Sequence, residues 1–446
     1  MGWDEVKSVR WLPIGLLTLL LPACGRVEKQ DREASLDTAI VASSLAGEGF
    51  VCRSGGEPIR LGQVGQMLLS PNGLRLAVMR DGGVDVVSLM DASSERLVGD
   101  DVTLEGARWS DDSERLAYFA GDVLSVTSGA GAPEFALQVE SPNPVSFSFR
   151  AAEWSRDGQQ VAFIAAHRGI LADARGERVR VFSEQMLESH GAPWALAFSA
   201  DGKVLAGLEQ LPGDERSVVM VNTEDQTTRQ SVLGFHYTLA GWSADDTAVA
   251  VWTTETLLLP RDGGEPRSFP GYGLLSPTKP EIAVPSQGLR IVNLDDGSER
   301  ALLYDEYNLQ TFRWLADGQT LAVRGGLLEN SGYVSAVDGN SLVRGVGVVG
   351  PDHWVALPEL EHVESGMWTM NLYDSRAKGA HFSMEFPEAE PSGDLVVPSR
   401  LRWLDGSRLA YVSDDGLHLA TRNDSSNRVL CTDVVTLVTP QAGHLD

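Results

Sequence analysis

One short phrase recurs nine times along this sequence, with the consensus Trp-Ser-x-Asp-Gly-x-x-Leu-Ala. The clearest copies occupy residues 154–163 and 198–206. The copies begin at Leu69, Trp109, Trp154, Phe198, Trp242, Leu275, Trp314, about Val349 and Trp403. A period near 40 residues is typical of chains that repeat one supersecondary unit in space, so the repeat constrains the architecture before any single element is assigned.

Each copy predicts a tight turn between two strands. An apolar run ends at the Trp, and Asp-Gly then permits a reversal, because Gly accepts positive φ and Asp can hydrogen-bond the turn backbone. Further β-rich runs follow at short spacing, such as residues 116–119 and 123–126 in the second copy. Four short strands per repeat, without a long helical pattern, form the unit of a propeller blade. The sequence therefore predicts an all-β fold, a single β-propeller of four-stranded antiparallel sheets.

The number of blades is less directly specified than the fold. Nine motif copies suggest nine blades, but propellers usually have about four to eight. We expect about eight, with nine as the alternative. On this expectation, the copy at Leu69 or the degenerate copy near Val349 does not build a complete blade.

The motif copies 154–158 and 198–202 resemble the TolB-like, WD40-like propeller repeat. The same repeat occurs in prolyl-oligopeptidase-type proteases and oligogalacturonate lyases. The resemblance covers about residues 50–435. It implies a propeller but no single function, because unrelated activities share the repeat. A residue present in every blade is most simply explained by the blade, so we expect the repeated Trp to wedge between blades and the repeated Asp to hold a turn.

The first 23 residues have the features of an export signal. Lys7 and Arg10 precede an apolar run over 11–21 that is shorter than the ~20 residues a membrane span needs. Residues 21–25, Leu-Pro-Ala-Cys-Gly, resemble a bacterial lipoprotein signal, which implies that Cys24 becomes the lipidated N-terminus. Gly25 after the cysteine implies the outer membrane; a simpler export signal is the alternative. Residues 24–48 are predicted to be a flexible tether and residues 49–446 the propeller.

The other two cysteines flank the whole repeat array. Cys52 precedes the first motif and Cys431 follows the last. A propeller closes by bringing its chain ends together, and an exported protein meets an oxidising compartment in which two remaining thiols tend to pair. We therefore predict a Cys52–Cys431 disulfide that locks ring closure, with two buried free thiols as the alternative.

Charge and motif content exclude several functions. The chain has 62 acidic and 36 basic residues, a net charge of −26, which argues against nucleic-acid binding. None of the eight histidines has metal-ligand spacing to another, and the sequence contains no G-x-S-x-G nucleophile elbow. The string 345–350 matches G-x-G-x-x-G, but Pro351 follows where a nucleotide-binding helix should open. We expect no metal and no cofactor.

The residue before the motif aromatic is charged in four copies. These residues are Arg108, Glu153, Arg313 and Arg402. They fall on the strand expected to be innermost, where side chains can reach a central channel. Buried charge is costly unless it is paired or hydrated, so the four residues either line the channel and suit an anionic ligand or form ion pairs between blades.

The sequence thus predicts an exported, lipid-anchored propeller that serves as a protein- or ligand-binding scaffold in the bacterial cell envelope. The resemblance to TolB implies other envelope proteins as partners, and a small-molecule or glycan ligand is a further expectation. The alternative is a propeller enzyme, a polysaccharide lyase or hydrolase, with its site in the central channel. A charged funnel of convergent His, Arg and acidic groups would favour the enzyme, and an exposed apolar patch would favour the scaffold.

Overall fold

The computed structural model describes residues 40–437 with gaps. For the strands within residues 332–403 the description covers the backbone alone. The residues outside the description are 1–39, 54–56, 98–100, 122, 129–132, 139–150, 166, 187–195, 214, 235–236, 287, 304–308, 315–317, 319, 326–331, 337–341, 345–347, 350–353, 363–366, 375–379, 387–400, 405–407, 414–415, 422–425, 433, 435 and 438–446.

The described residues form forty strands in ten four-stranded antiparallel sheets. Nine sheets each begin at one motif copy, and we number them motif sheets 1 to 9 in chain order. The tenth, the closing sheet, joins the two ends of the described chain. It contains β1 (Ile40–Ser43), β2 (Glu48–Cys52), β3 (Ile59–Gln63) and β40 (Thr436–Leu437).

Motif sheet 1 contains β4 (Met67–Leu69), β5 (Arg75–Arg80), β6 (Gly83–Ser88) and β7 (Ser94–Arg96). Motif sheet 2 contains β8 (Val102–Trp109), β9 (Leu116–Ala120), β10 (Val123–Thr127) and β11 (Phe135–Gln138). Motif sheet 3 contains β12 (Ala151–Trp154), β13 (Gln160–Ala165), β14 (Arg168–Asp173) and β15 (Val179–Ser183). Motif sheet 4 contains β16 (Leu196–Phe198), β17 (Val204–Gln210), β18 (Arg216–Asn222) and β19 (Thr228–Gly234). Motif sheet 5 contains β20 (Thr238–Trp242), β21 (Ala248–Trp252), β22 (Glu255–Pro260) and β23 (Arg267–Pro270). Motif sheet 6 contains β24 (Leu274–Leu275), β25 (Glu281–Val284), β26 (Leu289–Asn293) and β27 (Glu299–Leu303). Motif sheet 7 contains β28 (Leu309–Trp314), β29 (Thr320–Gly325), β30 (Gly332–Ala336) and β31 (Leu342–Arg344). Motif sheet 8 contains β32 (Val348–Val349), β33 (Trp354–His362), β34 (Met367–Asp374) and β35 (Ala380–Phe386). Motif sheet 9 contains β36 (Leu401–Trp403), β37 (Arg408–Ser413), β38 (Gly416–Thr421) and β39 (Ser426–Cys431).

The sheets follow one another around a ring, and apolar clusters join neighbouring sheets face to face. These clusters run without a break from motif sheet 9 through the closing sheet and on to motif sheet 7. In motif sheets 2 to 7 the first strand lies innermost, because β8, β12, β16, β20, β24 and β28 contact one another in succession. At the other end of the array, β32 of motif sheet 8 lies beside β36 of motif sheet 9.

This packing explains why the middle strands are apolar throughout rather than alternating. The two faces of each sheet meet two neighbouring sheets, so both sets of side chains are buried. All five residues of β9, Leu116–Ala120, are buried. The outermost strands meet water instead, and β19 is half-buried or exposed along its whole length. The all-β propeller predicted from the repeat is confirmed.

The number of sheets differs from the expected number of about eight blades. Every motif copy builds a four-stranded sheet, including the copies at Leu69 and Val349, and the closing sheet adds a tenth. The closing sheet carries no motif, because its innermost strand comes from the C-terminal end and its other three from the N-terminal end. A count of motifs therefore cannot include it.

The predicted boundary between tether and propeller also lies too late in the chain. β1 falls inside 24–48, where Ala42 pairs with Leu437 and Ser43 with Thr436. Ile40 and Val41 are almost fully buried in the closing sheet. β1 pairs with β2 nearby in the chain and with β40 almost 400 residues away, but it is only four residues long and carries no motif copy, which is why this segment resembled a tether. No helix in the described part of the chain is long and apolar enough to cross a membrane.

Candidate functional site

The repeated Trp ties each sheet to the one before it. In four sheets the indole Nε1 donates to the backbone carbonyl of the residue that precedes the first motif residue of the preceding sheet. The bonds run from Trp109 to Leu68 (3.1 Å), Trp154 to Arg108 (3.0 Å), Trp242 to Ala197 (2.9 Å) and Trp314 to Leu274 (2.8 Å). The Trp side chain therefore acts between blades, as the repeat predicts, and does not mark a ligand site.

The motif Ser and Asp close the turn that follows. In four copies the Ser Oγ donates a hydrogen bond to Oδ1 of the Asp that follows two residues later. The same oxygen also accepts a hydrogen bond from the backbone amide of the residue two positions after that Asp. The Ser–Asp bonds join Ser110 to Asp112 (2.5 Å), Ser155 to Asp157 (2.6 Å), Ser199 to Asp201 (2.6 Å) and Ser243 to Asp245 (2.6 Å). The amide bonds come from Glu114, Gln159, Lys203 and Thr247. The repeated Asp is thus engaged in holding its turn, in agreement with the sequence.

The motif turn of motif sheet 4 is also bonded to motif sheet 5. Asp201 in motif sheet 4 accepts a bond from Arg261 of motif sheet 5 at 2.9 Å. Asp246 of motif sheet 5 accepts the amides of Ala200 and Asp201 at 2.6 and 2.8 Å. Burial raises the pKa of Asp201, but hydrogen bonds from Ser199, Lys203 and Arg261 outweigh it and hold the pKa below 3.8.

We expect Asp201→Asn to weaken the dependence of stability on acid. Because the pKa of Asp201 is lower in the folded than in the unfolded protein, its stabilisation is complete above the unfolded value near 3.8 and is lost as pH falls through the folded value. The melting temperature of the wild type should therefore fall more steeply than that of the variant between neutral pH and about pH 3. Asp245→Asn provides a second test, since the pKa of Asp245 is lowered in the same direction. If the melting temperature fell equally steeply with pH in the wild type and in both variants, these two carboxylates would not contribute to the acid sensitivity of the fold.

The four charged residues expected at the channel occupy one register position. In their sheets Arg108 faces Ala117, Glu153 faces Ala162, Arg313 faces Ala322 and Arg402 faces Ala410. The side chains of Arg313 and Arg402 lie outside the described residues. The structure brings together the other two, since Arg108 Nε lies 3.1 Å from Glu153 Oε2 across the interface between motif sheets 2 and 3. For this pair the geometry matches the ion-pair interpretation.

We expect Arg108→Ala to destabilise the protein by about 3 kcal/mol, because it removes the cation beside a largely buried carboxylate. The side chains of Arg108 and Glu153 are 23% and 11% exposed. Arg168→Ala is the matched control, because Arg168 pairs with Glu184 at 2.8 Å but the two side chains are 41% and 65% exposed. That exposed pair should contribute about 0.5 kcal/mol or less. Equal losses in urea unfolding would show that the Arg108–Glu153 pair has no special role.

The cysteines that flank the repeats meet at ring closure. Cys52 in β2 of the closing sheet and Cys431 in β39 of motif sheet 9 form a disulfide with Cα atoms 6.0 Å apart and a sequence separation of 379. Both residues are buried in the apolar cluster between these two sheets. Closure thus combines a covalent bond with the β1–β40 pairing. Cys24 lies outside the described residues.

A cleft that the sequence did not predict lies next to the disulfide, on the other side of the closing sheet. It opens between the outer strands of the closing sheet and motif sheet 1 and has a volume of about 150 Å³. Three of its lining residues are arginines: Arg53, Arg60 and Arg80. These residues belong to no repeated motif and come from two sheets. The only signal in the sequence is the local frequency of Arg in an acidic chain.

The described residues offer little for metal chemistry. Among them, no three His, Cys, Asp or Glu side chains converge where they could hold an ion. His418, one of the described histidines, is buried and stacks on Tyr411 with ring centroids 4.8 Å apart. Its contacts are those of a core residue.

The ring and its bonding pattern define a β-propeller repeat protein. No protein-family model and no curated protein sequence matches the chain. A solved eukaryotic initiation factor is similar over 88% of this chain and 95% of its own, with 11% identity and a TM-score of 0.51. At this identity the likeness shows the fold alone.

Two further solved structures are similar at lower scores. Dihydro-heme d1 dehydrogenase NirN, in complex with DHE, is 17% identical over 69% of this chain and 70% of its own, with a TM-score of 0.36. TolB from Acinetobacter baumannii is 13% identical over 73% and 84%, with a TM-score of 0.29. Neither bears on function.

Proposed function

We propose that this protein is an exported, lipid-anchored β-propeller that acts as a binding scaffold in the bacterial cell envelope. The observation that carries the proposal is the Cys52–Cys431 disulfide at ring closure. Structural disulfides persist in oxidising compartments and are rare in the cytosol. The leader over residues 1–23 and the lipoprotein-like sequence ending at Cys24 supply an export route and an anchor consistent with that bond.

The scaffold part of the proposal is supported by the tasks that the repeated residues perform. In the described sheets the motif Trp, Ser and Asp residues are used in bonds between blades or within turns. These bonds hold a rigid ring and leave its loops and outer strands to vary. Binding residues commonly lie on loops that a rigid framework positions. We expect other envelope proteins as the main partners, with a small molecule or glycan as a further ligand.

The test of export and anchoring uses the full chain expressed in a bacterium, beside a Cys24→Ala variant. The wild type should sediment with membranes and carry a lipid on Cys24 by mass spectrometry, and the variant should lose both properties. In the exported wild type, Cys52 and Cys431 should resist alkylation until a reductant is added. An unmodified Cys24 in a soluble cytoplasmic protein with both thiols alkylated would overturn the proposal.

The test of the scaffold role is crosslinking in intact cells, followed by capture and identification of attached proteins and glycans. The Cys24→Ala variant is the control, because it keeps the ring but loses its predicted place on the membrane. A defined envelope protein crosslinked to the wild type, and reduced in the variant, would support the scaffold. Depolymerisation of an envelope glycan by the purified protein would instead support the enzyme alternative.

A further inference from the structure

The cleft between the closing sheet and motif sheet 1, which is lined by Arg53, Arg60 and Arg80 and is named the rim cleft, differs in charge from the protein that surrounds it. The whole chain carries a net charge of −26. Among the described residues, those that line the cleft nevertheless include three arginines and no carboxylate. A recess lined by one sign of charge between low-dielectric walls concentrates counter-ions of the opposite sign. The lining therefore favours an anion.

Arg80 is held in place before any ligand arrives. Its Nε lies 2.5 Å from Asp85, its Nη1 3.4 Å from the Leu61 carbonyl and its Nη2 3.2 Å from Ser94 Oγ. Asp85 is almost fully buried and also pairs with Arg96. One carboxylate thus faces two guanidinium groups, so this wall of the cleft keeps a net positive charge.

Arg53 and Arg60 approach from the closing sheet. Arg53 Nη2 donates to the Leu89 carbonyl across the sheet interface at 2.7 Å, which uses one of the five N–H donors of a guanidinium. The Arg60 side chain is 73% exposed and lies over the Phe50 ring at 5.6 Å. Its contact with Glu48, at 3.4 Å, is long and exposed, so a ligand can displace it at low cost.

The rest of the lining is mainly aliphatic. The apolar residues are Val51, Ile59, Leu61, Val87, Leu89 and Ala92. Val51, Leu61, Val87 and Leu89 are almost fully buried, whereas Ile59 and Ala92 are half-buried and present apolar surface to the cleft. A fully hydrated inorganic anion would gain little from Ile59 and Ala92, whereas a short hydrocarbon group could bury the apolar surface that these two side chains expose. A guanidinium binds a carboxylate through two parallel N–H bonds.

From the charge and the walls together, we propose that the rim cleft binds a carboxylate carried on a short aliphatic group. Two sources share this chemistry: a free branched-chain acid, and the C-terminus of a peptide that ends in an aliphatic residue. Capture of a terminal carboxylate is a recurrent mode of peptide recognition. The site goes beyond the proposed envelope function and does not depend on export or on the lipid anchor.

Calorimetric titration of the purified full chain tests the site with four probes: isovalerate, isovaleramide, acetyl-Gly-Gly-Leu and its C-terminal amide. Each carboxylate should bind at one site per chain, about tenfold or more tighter than the matching amide, because a charged acceptor strengthens hydrogen bonds from arginine. Added salt should weaken the carboxylates selectively. A peptide that binds tighter than isovalerate identifies a chain terminus as the ligand, and equal binding identifies a free acid.

Arg60→Gln is the deciding variant, because its side chain is exposed and its loss should leave the fold intact. It should weaken carboxylate binding by about fivefold or more, in line with the loss of one charge-assisted bond. Arg178→Gln is the matched control, since Arg178 is 84% exposed, pairs with Asp173 at 3.2 Å and lies in motif sheet 3. Arg53→Gln should act like Arg60→Gln.

Three results would overturn the proposal. They are the absence of saturable binding, equal affinity for acid and amide, and equal weakening by Arg60→Gln and Arg178→Gln. The melting temperature of each variant shows whether it is folded, so a loss of binding is interpreted only for folded protein.

Discussion

Replacing Cys52 and Cys431 together by serine is expected to lower the free energy of unfolding by up to about 6 kcal/mol, the chain-entropy value for a loop of 379 residues. The physical reason is that the disulfide restricts the unfolded chain. At ~2.1 cal/mol/K per residue over roughly 400 residues, this corresponds to a fall of ~7 °C in melting temperature. Thermal unfolding followed by circular dichroism measures it.

The control is the wild-type protein with reductant, which should melt like the double variant. Each single variant should be at least as stable as the double variant, because the bond is lost in all three and a buried thiol is more apolar than a buried serine hydroxyl. If the double variant melted at the same temperature as the oxidised wild type, the β1–β40 pairing and the apolar cluster around Ile40 and Leu437 would be sufficient to close the ring without the disulfide.

Trp154→Ala should cost about 3–5 kcal/mol, as is typical of deleting a large buried aromatic side chain. Trp154 is fully buried in the cluster between motif sheets 2 and 3. Its Nε1 bond to the Arg108 carbonyl is lost as well. Trp154→Phe keeps most of the volume and isolates that bond, and should cost about 1–2 kcal/mol. Urea unfolding measures both changes.

Trp242→Ala is the matched control for this experiment. Trp242 makes the equivalent bond to Ala197, but it is half-buried. Its removal opens a smaller cavity, so the loss of stability should be smaller than for Trp154→Ala. If the two alanine variants were equally unstable, the indole hydrogen bond rather than burial would dominate the role of the motif Trp.

Much of the fold could be predicted from the sequence because the repeat is local. Trp154, Ser155 and Asp157 lie within four residues, and their spacing specifies a turn wherever it occurs. Nine copies therefore predicted a row of antiparallel sheets, about eight of them, with nine as the alternative. The copies at Leu69 and Val349 both build four-stranded sheets, and the closing sheet could not be counted because it takes strands from both ends and carries no motif. β1 was missed for the same reason, since it carries no motif copy and its place between β2 and β40 is fixed only when the ring closes.

The candidate site was less accessible to sequence reasoning. The charged residues before the motif aromatics were identified, and their common register follows from the repeat. Whether these residues bind a ligand or pair with one another depends on how neighbouring sheets pack. The packing of motif sheets 2 and 3 places Arg108 beside Glu153. The rim cleft had no motif to reveal it. Arg53, Arg60 and Arg80 become neighbours only because closure places the closing sheet against motif sheet 1.

The sequence by itself therefore determined the repeating unit, its turn chemistry and the apolar character of its strands, because short-range contacts decide these. It also marked Cys52 and Cys431 as the residues flanking the array. Only the tertiary structure decided how many sheets complete the ring and which strands close it. It also decided where three arginines converge in an acidic protein. These features depend on contacts between residues far apart in the chain, which form only when the whole ring is assembled.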